Sequence, residues 1–104
     1  MGWLVSPNTC GSGLCIVHPG TVVINGKARI GCNARIHVCV NIGAEKNGAP
    51  VIGDNVYIGP GAKIYGNIEI GDNVKIGANS VVNKSFGNDV LLVGIPAAIK
   101  NNKN

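Results

Sequence analysis

A six-residue beat of branched aliphatics sets what this chain can fold into. Ile24, Ile30, Ile36 and Ile42 recur at that interval, and after four extra residues Ile52, Ile58, Ile64, Ile70, Ile76 and Val82 resume it. Four residues after most beats stands a second small or branched residue: Ala28, Ala34, Val40, Val56, Ala62, Ile68 and Val74, with Ser80 as a polar variant. Between the two come turn-forming triplets such as Gly31-Cys32-Asn33, Gly53-Asp54-Asn55, Gly71-Asp72-Asn73 and Gly77-Ala78-Asn79. Gly and Asn accept left-handed backbone angles at little cost, so they suit a bend repeated at every beat. Neither a helical period nor a two-residue alternation produces a beat of six. A β-helix does. Each hexapeptide makes one short flat side, three sides complete a coil, and residues three beats apart stack one strand spacing, about 4.8 Å, over each other.

Within the second run this register stacks Ile52 under Ile70, Ile58 under Ile76 and Ile64 under Val82. It places Ile30, Ile58, Ile64, Ile70 and Ile76 inside and Lys63 and Lys75 outside. Composition agrees with a narrow aliphatic interior: 45% of the 104 residues are hydrophobic, only 4% are aromatic, and the 16 glycines are about twice the usual share. Each buried aliphatic contributes roughly 1.5–3 kcal/mol, set against about 1–2 kcal/mol per residue of backbone ordering. A stack this short is marginal alone, and association through a side offsets the deficit. The chain reads as a single domain over 1–104, with repeats over about 13–86 and a closing segment and tail over 87–104. The four-residue offset falls between Gly43 and Pro50, where a polar Gly- and Pro-containing stretch predicts a loop leaving the coil.

The formal net charge is +4, but the nine basic residues are scattered along the sequence without a dense cluster or an aromatic-interleaved stripe. Nucleic-acid binding is therefore not expected. No apolar run approaches the roughly 18 residues that span a bilayer, so no membrane partner is expected either. Cys10, Cys15, Cys32 and Cys39 show no C-x-x-C pair and no zinc-ligand spacing, which predicts small, mostly buried thiols in a reducing, cytoplasmic setting and no metal site.

The two histidines differ in context. His18 occupies a slot that is aliphatic at nearly every other beat, and Pro19-Gly20 after it favours a broken coil, which marks it as a candidate functional group. His37 follows one coil plus one residue later, so the two are expected as neighbours on adjacent layers, with His37 the more structural. No Ser-His-Asp spacing, phosphate loop or dinucleotide fingerprint is present.

The run from Ile52 to Val82 resembles the hexapeptide-repeat acyltransferases, and most closely the serine acetyltransferases and their relatives in polysaccharide-synthesis clusters. Gly13-Leu14-Cys15-Ile16-Val17-His18 is similar to the segment that carries their catalytic histidine, and Gly94-Ile95-Pro96-Ala97 is similar to their closing motif. The likeness runs from about Pro7 to Ile99. It implies a left-handed parallel β-helix assembled as a homotrimer, with active sites between subunits and acetyl-CoA lying along the groove between two prisms. On this likeness His18 is the general base that takes the proton of a small-molecule acceptor hydroxyl. Gly43 and Ala44 at the loop, Pro60 and Gly61, and Lys75 and Ala78 on the next layers are the positions that correspond to the donor site.

Three positions depart from the serine acetyltransferase pattern. Val17 stands where an Asp precedes the histidine, Leu4-Val5-Ser6-Pro7 carries no carboxylate, and Ala49 stands where a second His precedes the loop Pro. The family's N-terminal helical region has no counterpart, which leaves a minimal enzyme or a truncated one. The first reading is therefore acetyl transfer from acetyl-CoA to the L-serine hydroxyl. A sugar hydroxyl in polysaccharide or nucleotide-sugar synthesis, which needs no charged clamp, is the second. A non-catalytic trimeric β-helix scaffold or remnant is the third.

Overall fold

In the computed structural model the chain is described over residues 3–5, 15–16 and 22–100. Fourteen short strands follow one another with no helix among the described residues: β1 (Trp3–Val5), β2 (Cys15–Ile16), β3 (Val22–Ile24), β4 (Arg29–Ile30), β5 (Arg35–Ile36), β6 (Asn41–Gly43), β7 (Val51–Ile52), β8 (Tyr57–Ile58), β9 (Lys63–Tyr65), β10 (Glu69–Ile70), β11 (Lys75–Ile76), β12 (Val81–Val82), β13 (Leu91–Gly94) and β14 (Ala97–Ile99). Each strand ends near a beat residue, because the turn triplet that follows bends the chain onto the next side.

The strands collect into three sheets, one per side of a triangular solenoid of about four turns. The first face is β1-β3-β6-β9-β12, the second β4-β7-β10, and the third β2-β5-β8-β11-β13-β14. All neighbours are parallel except β13 and β14, which form a closing antiparallel hairpin. The three stacks expected in the second run are present: Ile52 pairs Ile70, Ile58 pairs Ile76 and Ile64 pairs Val82.

The structure also places the offset. Ile24 pairs Ile42 at the ordinary interval, whereas Ile30 pairs Ile52 and Ile36 pairs Ile58 across four additional residues. Those residues turn outward at a Glu45–Gly48 bridge closed by two backbone hydrogen bonds, Glu45 N to Gly48 O at 2.8 Å and Gly48 N to Glu45 O at 3.1 Å. At the other end the coil contracts. Phe86 bridges Ile70, and Leu92 pairs Ile76, each with two residues fewer than the beat supplies.

The core is a column of stacked aliphatics. Ile30, Ile58, Ile64, Ile70 and Ile76 are buried, as are Ala28, Ala34, Val40, Val56, Ala62, Ile68, Val74 and Ser80. Lys63 and Lys75 are exposed, as the register requires. The left-handed corner positions fall three residues after a beat: Asn33, Asn55, Asn73 and Asn79 have φ between 58° and 61°, and Gly61 has φ 77°.

One corner adds a polar ladder to this column. The Cys32 amide donates to Asp54 Oδ1 at 2.8 Å, the Asp54 amide to Asp72 Oδ1 at 2.8 Å, and the Asp72 amide to Asn88 Oδ1 at 2.7 Å. Each rung needs a glycine on the layer below. A Cβ on Gly53 would meet the Gly71 carbonyl at 2.8 Å and run into the Asp72 carboxylate itself.

The cysteine expectation needs correction. Cys32 is half-buried and Cys39 is exposed, because both fall in corner turns outside the aliphatic column. Cys39 also takes a left-handed backbone angle, φ 63°, at the position where the other corners use Asn, Asp or Gly. The side chains of Cys10 and Cys15 lie outside what is described.

The ladder yields two expected outcomes in denaturant titrations. Gly53→Ala lowers stability by about 1–3 kcal/mol through overpacking. Asp72→Ala costs about 0.5–1.5 kcal/mol through the lost rung, while Asp72→Asn leaves stability unchanged, because Asn88 already serves the same role one layer up.

Candidate functional site

The turns at residues 37–40, 59–62 and 77–80 carry the chain from the third face to the first and stack on one another. The Gly61 amide donates to Val38 O at 2.9 Å, and the Asn79 amide donates to Pro60 O at 2.9 Å. Within the turns the Ala62 amide reaches Gly59 O and the Ser80 amide reaches Gly77 O, both at 3.3 Å. Gly59 sits so close beneath the next layer that a Cβ there would lie 2.9 Å from the Ala78 amide. Small residues thus keep this corner smooth. Pro60 and Gly61 are half-buried and Ala78 is exposed.

Lys75 stands on the third face just before this corner, exposed, in register with Tyr57 below and Leu91 above. It lies on the same layer as Ala78, three residues before it, with Pro60 and Gly61 on the layer below. Gly43 and Ala44 lie elsewhere. They close β6 at the opposite edge of the first face, where Gly43 pairs Tyr65 and its carbonyl accepts the Gly66 amide at 3.4 Å. The chain by itself therefore does not bring the two halves of the set together.

His18, the proposed base, lies outside the described residues, and so does its expected contact with His37. His37 itself is half-buried, its ring 5.0 Å from that of Tyr57 at an interplanar angle of 68°. Its amide donates to Ile58 O at 3.1 Å. Edge-on aromatic packing of this kind fixes both rings.

The structure adds a residue that sequence reading passes over as a small variant. Ser80 is buried, and its hydroxyl accepts the Gly94 amide at 3.2 Å. That bond ties the Gly94-Ile95-Pro96-Ala97 hairpin to the smooth corner. The signal was a single hydroxyl at an otherwise aliphatic slot. An open depression of about 380 Å³ lies over the second face near Val51, Glu69, Phe86 and Asn88, away from the corner. Among the described residues no three His, Cys, Asp or Glu side chains come together as a metal site, and no helix is long and apolar enough to cross a membrane.

A parallel solenoid counted in hexapeptides, with a smooth corner and a closing hairpin, defines a class of transferase domain. The bacterial transferase hexapeptide family (six repeats) matches residues 49–84. This chain belongs to the hexapeptide-repeat transferases, and its coil is accordingly a left-handed parallel β-helix.

Its relatives include serine acetyltransferases. The protein of that name from Staphylococcus xylosus is 47% identical over 93 residues, covering 86% of this chain and 43% of the relative. The Neisseria gonorrhoeae serine acetyltransferase in complex with serine superposes with a TM-score of 0.82 at 41% identity, covering 88% of this chain and 39% of that one. A serine acetyltransferase in complex with CoA gives a TM-score of 0.83 at 36% identity, with the same coverage. The chain thus spans less than half the length of the relatives it matches.

If the Ser80 hydroxyl anchors the hairpin, Ser80→Ala raises amide exchange at Gly94 and costs about 0.5–1.5 kcal/mol. Hydrogen exchange read against denaturant unfolding checks both.

Proposed function

We propose that this chain is the acyl-transfer part of an acetyl-CoA-dependent O-acetyltransferase of the serine acetyltransferase type. The observation that carries the reading is 47% identity to a serine acetyltransferase across 86% of the chain. Structural likeness to a serine acetyltransferase holding CoA supports the donor, and likeness to one holding serine supports L-serine as acceptor.

In this reading Lys75 faces the anionic end of CoA, while Pro60, Gly61 and Ala78 let the pantetheine arm lie close to the corner. Gly43 and Ala44 complete the donor site from a neighbouring subunit, which favours a homotrimer, because a single chain keeps them at the far edge of the first face. His18 takes the proton of the acceptor hydroxyl as its oxygen attacks the thioester carbonyl. Backbone amides hold the oxyanion. The carbon–sulfur bond then breaks, and the imidazolium returns the proton to the departing thiolate. The protein works in the cytoplasm.

A second acceptor class has its own support. Ala49, where the resemblance expects a histidine, is half-buried and packed on the aliphatic core. It offers a substrate neither charge nor hydrogen bond, which favours a neutral sugar hydroxyl in polysaccharide or nucleotide-sugar synthesis.

Calorimetric titration with CoA, beside mass by light scattering, tests the donor half. The expected result is saturable binding near one CoA per chain on a trimer, weakened by Lys75→Ala. A well-folded trimer that ignores CoA would instead support a non-catalytic scaffold. Turnover with a panel of L-serine and sugar acceptors then assigns the acceptor. His18→Ala is expected to lower kcat by about 10²–10⁴ with CoA binding retained, and unchanged turnover in that variant would remove the general base.

A further inference from the structure

The basic residues are scattered in sequence, but the solenoid sorts them. On the third face the outward positions are those just before each beat. Arg35, Tyr57 and Lys75 stand in parallel register, and Leu91 follows above Lys75. The closing strand extends the series. The Lys100 amide donates to Leu91 O at 2.7 Å, and residues opposite one another in a sheet share a face. The column reads Arg35, Tyr57, Lys75, Leu91, Lys100: cation, ring, cation, aliphatic, cation.

Layers lie about 4.8 Å apart, so successive cations stand about 10 Å apart on a nearly straight line. All three are exposed, and Tyr57 and Leu91 are half-buried between them. Contact with the His37 ring holds the Tyr57 ring in place. Among the described residues no strand position of this face carries a carboxylate. Asp54, Asp72 and Asp89 lie on the corner before it, where Asp54 and Asp72 each commit one oxygen to a backbone amide.

We propose that this face binds an extended acidic polysaccharide with one carboxylate on every second sugar. In an extended chain of β-linked pyranoses each sugar advances by about one strand spacing, so alternate sugars meet alternate layers. The carboxylates pair with Arg35, Lys75 and Lys100. The intervening sugars lay their C–H faces on Tyr57 and Leu91, and the acidic corner confines the polymer to the column. A nucleic-acid strand fits less well. Its phosphates recur at about 3.4 Å of rise along the duplex axis for each strand, far more densely than the cations of the column, and most would stay unpaired. An anionic bilayer favours denser basic clusters than three cations in a line.

The column shares Lys75 with the proposed donor site, so CoA and the polymer would compete for that cation, but the titration needs no CoA and its failure is read apart from that of the acyl-transfer reading. The full chain is titrated with a hyaluronan decasaccharide at low and physiological salt. Saturable binding that weakens with salt is expected. Arg35→Ala and Lys100→Ala each reduce affinity about two- to fivefold, and Tyr57→Ala about three- to tenfold, while Tyr57→Trp retains it. Lys27→Ala and Lys63→Ala, on other parts of the solenoid, leave affinity unchanged. Thermal unfolding of each variant confirms that it is folded. Absence of binding overturns the proposal, as does equal binding of neutral chitopentaose or tighter binding of oligothymidylate. Equal losses in the Lys27 and Lys63 variants would also overturn it, since they would mark diffuse attraction to net positive charge.

Discussion

At the corner between the second and third faces, each glycine after a beat isoleucine leaves its Cβ space to the layer above. The side chains of Asp54, Asp72 and Asn88 occupy that space and accept the amides of Cys32, Asp54 and Asp72. The rungs set the rotation of each coil on the one below, and that rotation is what keeps the isoleucines in vertical columns. A parallel sheet two residues wide has little pairing of its own to define register. Without the corner the aliphatic stack could slip, because one isoleucine packs on another much the same from layer to layer. Burial supplies the stabilisation of this fold, and the polar corner makes it single-valued.

A fold held in this way has nearly invariant insides and free outsides. Apart from Ser80, the buried side chains of the column are Ile, Val, Ala or Leu, and they carry little chemical information. What the protein can bind is written at the corners and at the positions just before the beat. The smooth corner at Pro60, Gly61 and Ala78 and the third-face column are built by stacking layer on layer, and the hairpin tied down through Ser80 closes the stack. Sites on such a surface are linear and suit extended ligands. A compact pocket needs a second surface, and within one chain Gly43 and Ala44 lie apart from the smooth corner.

Much of the fold was legible because its signal is periodic. Isoleucines at a fixed interval identified the interior, the pairs Ile52 with Ile70 and Ile58 with Ile76, and the exposure of Lys63 and Lys75. The loop was legible as four surplus residues of polar character. Where the period breaks the signal fails, and so the contraction that brings Phe86 and Leu92 into the beat was not foreseen. Cys39 misled for a related reason. A cysteine reads as a small buried residue by type, yet its place three residues after Ile36 puts it in a left-handed corner turn. The candidate site was legible only as residue types and a family likeness, and its proposed base, His18, lies outside the described residues.

By itself the sequence determined the solenoid, its interior and its corner chemistry, because each of these repeats locally and every repeat votes for the same answer. Only the tertiary structure decided which layers lie together, since that depends on the phase across the Glu45–Gly48 excursion, and no local preference fixes it. With that phase, Arg35 comes to lie beside Tyr57 rather than beside any other outward residue, and Lys100 comes to continue a line begun 65 residues earlier in the chain. Neighbours on the face of a β-helix are set by the sum of every insertion between them, and a sum of that kind exists only once the chain has closed each turn.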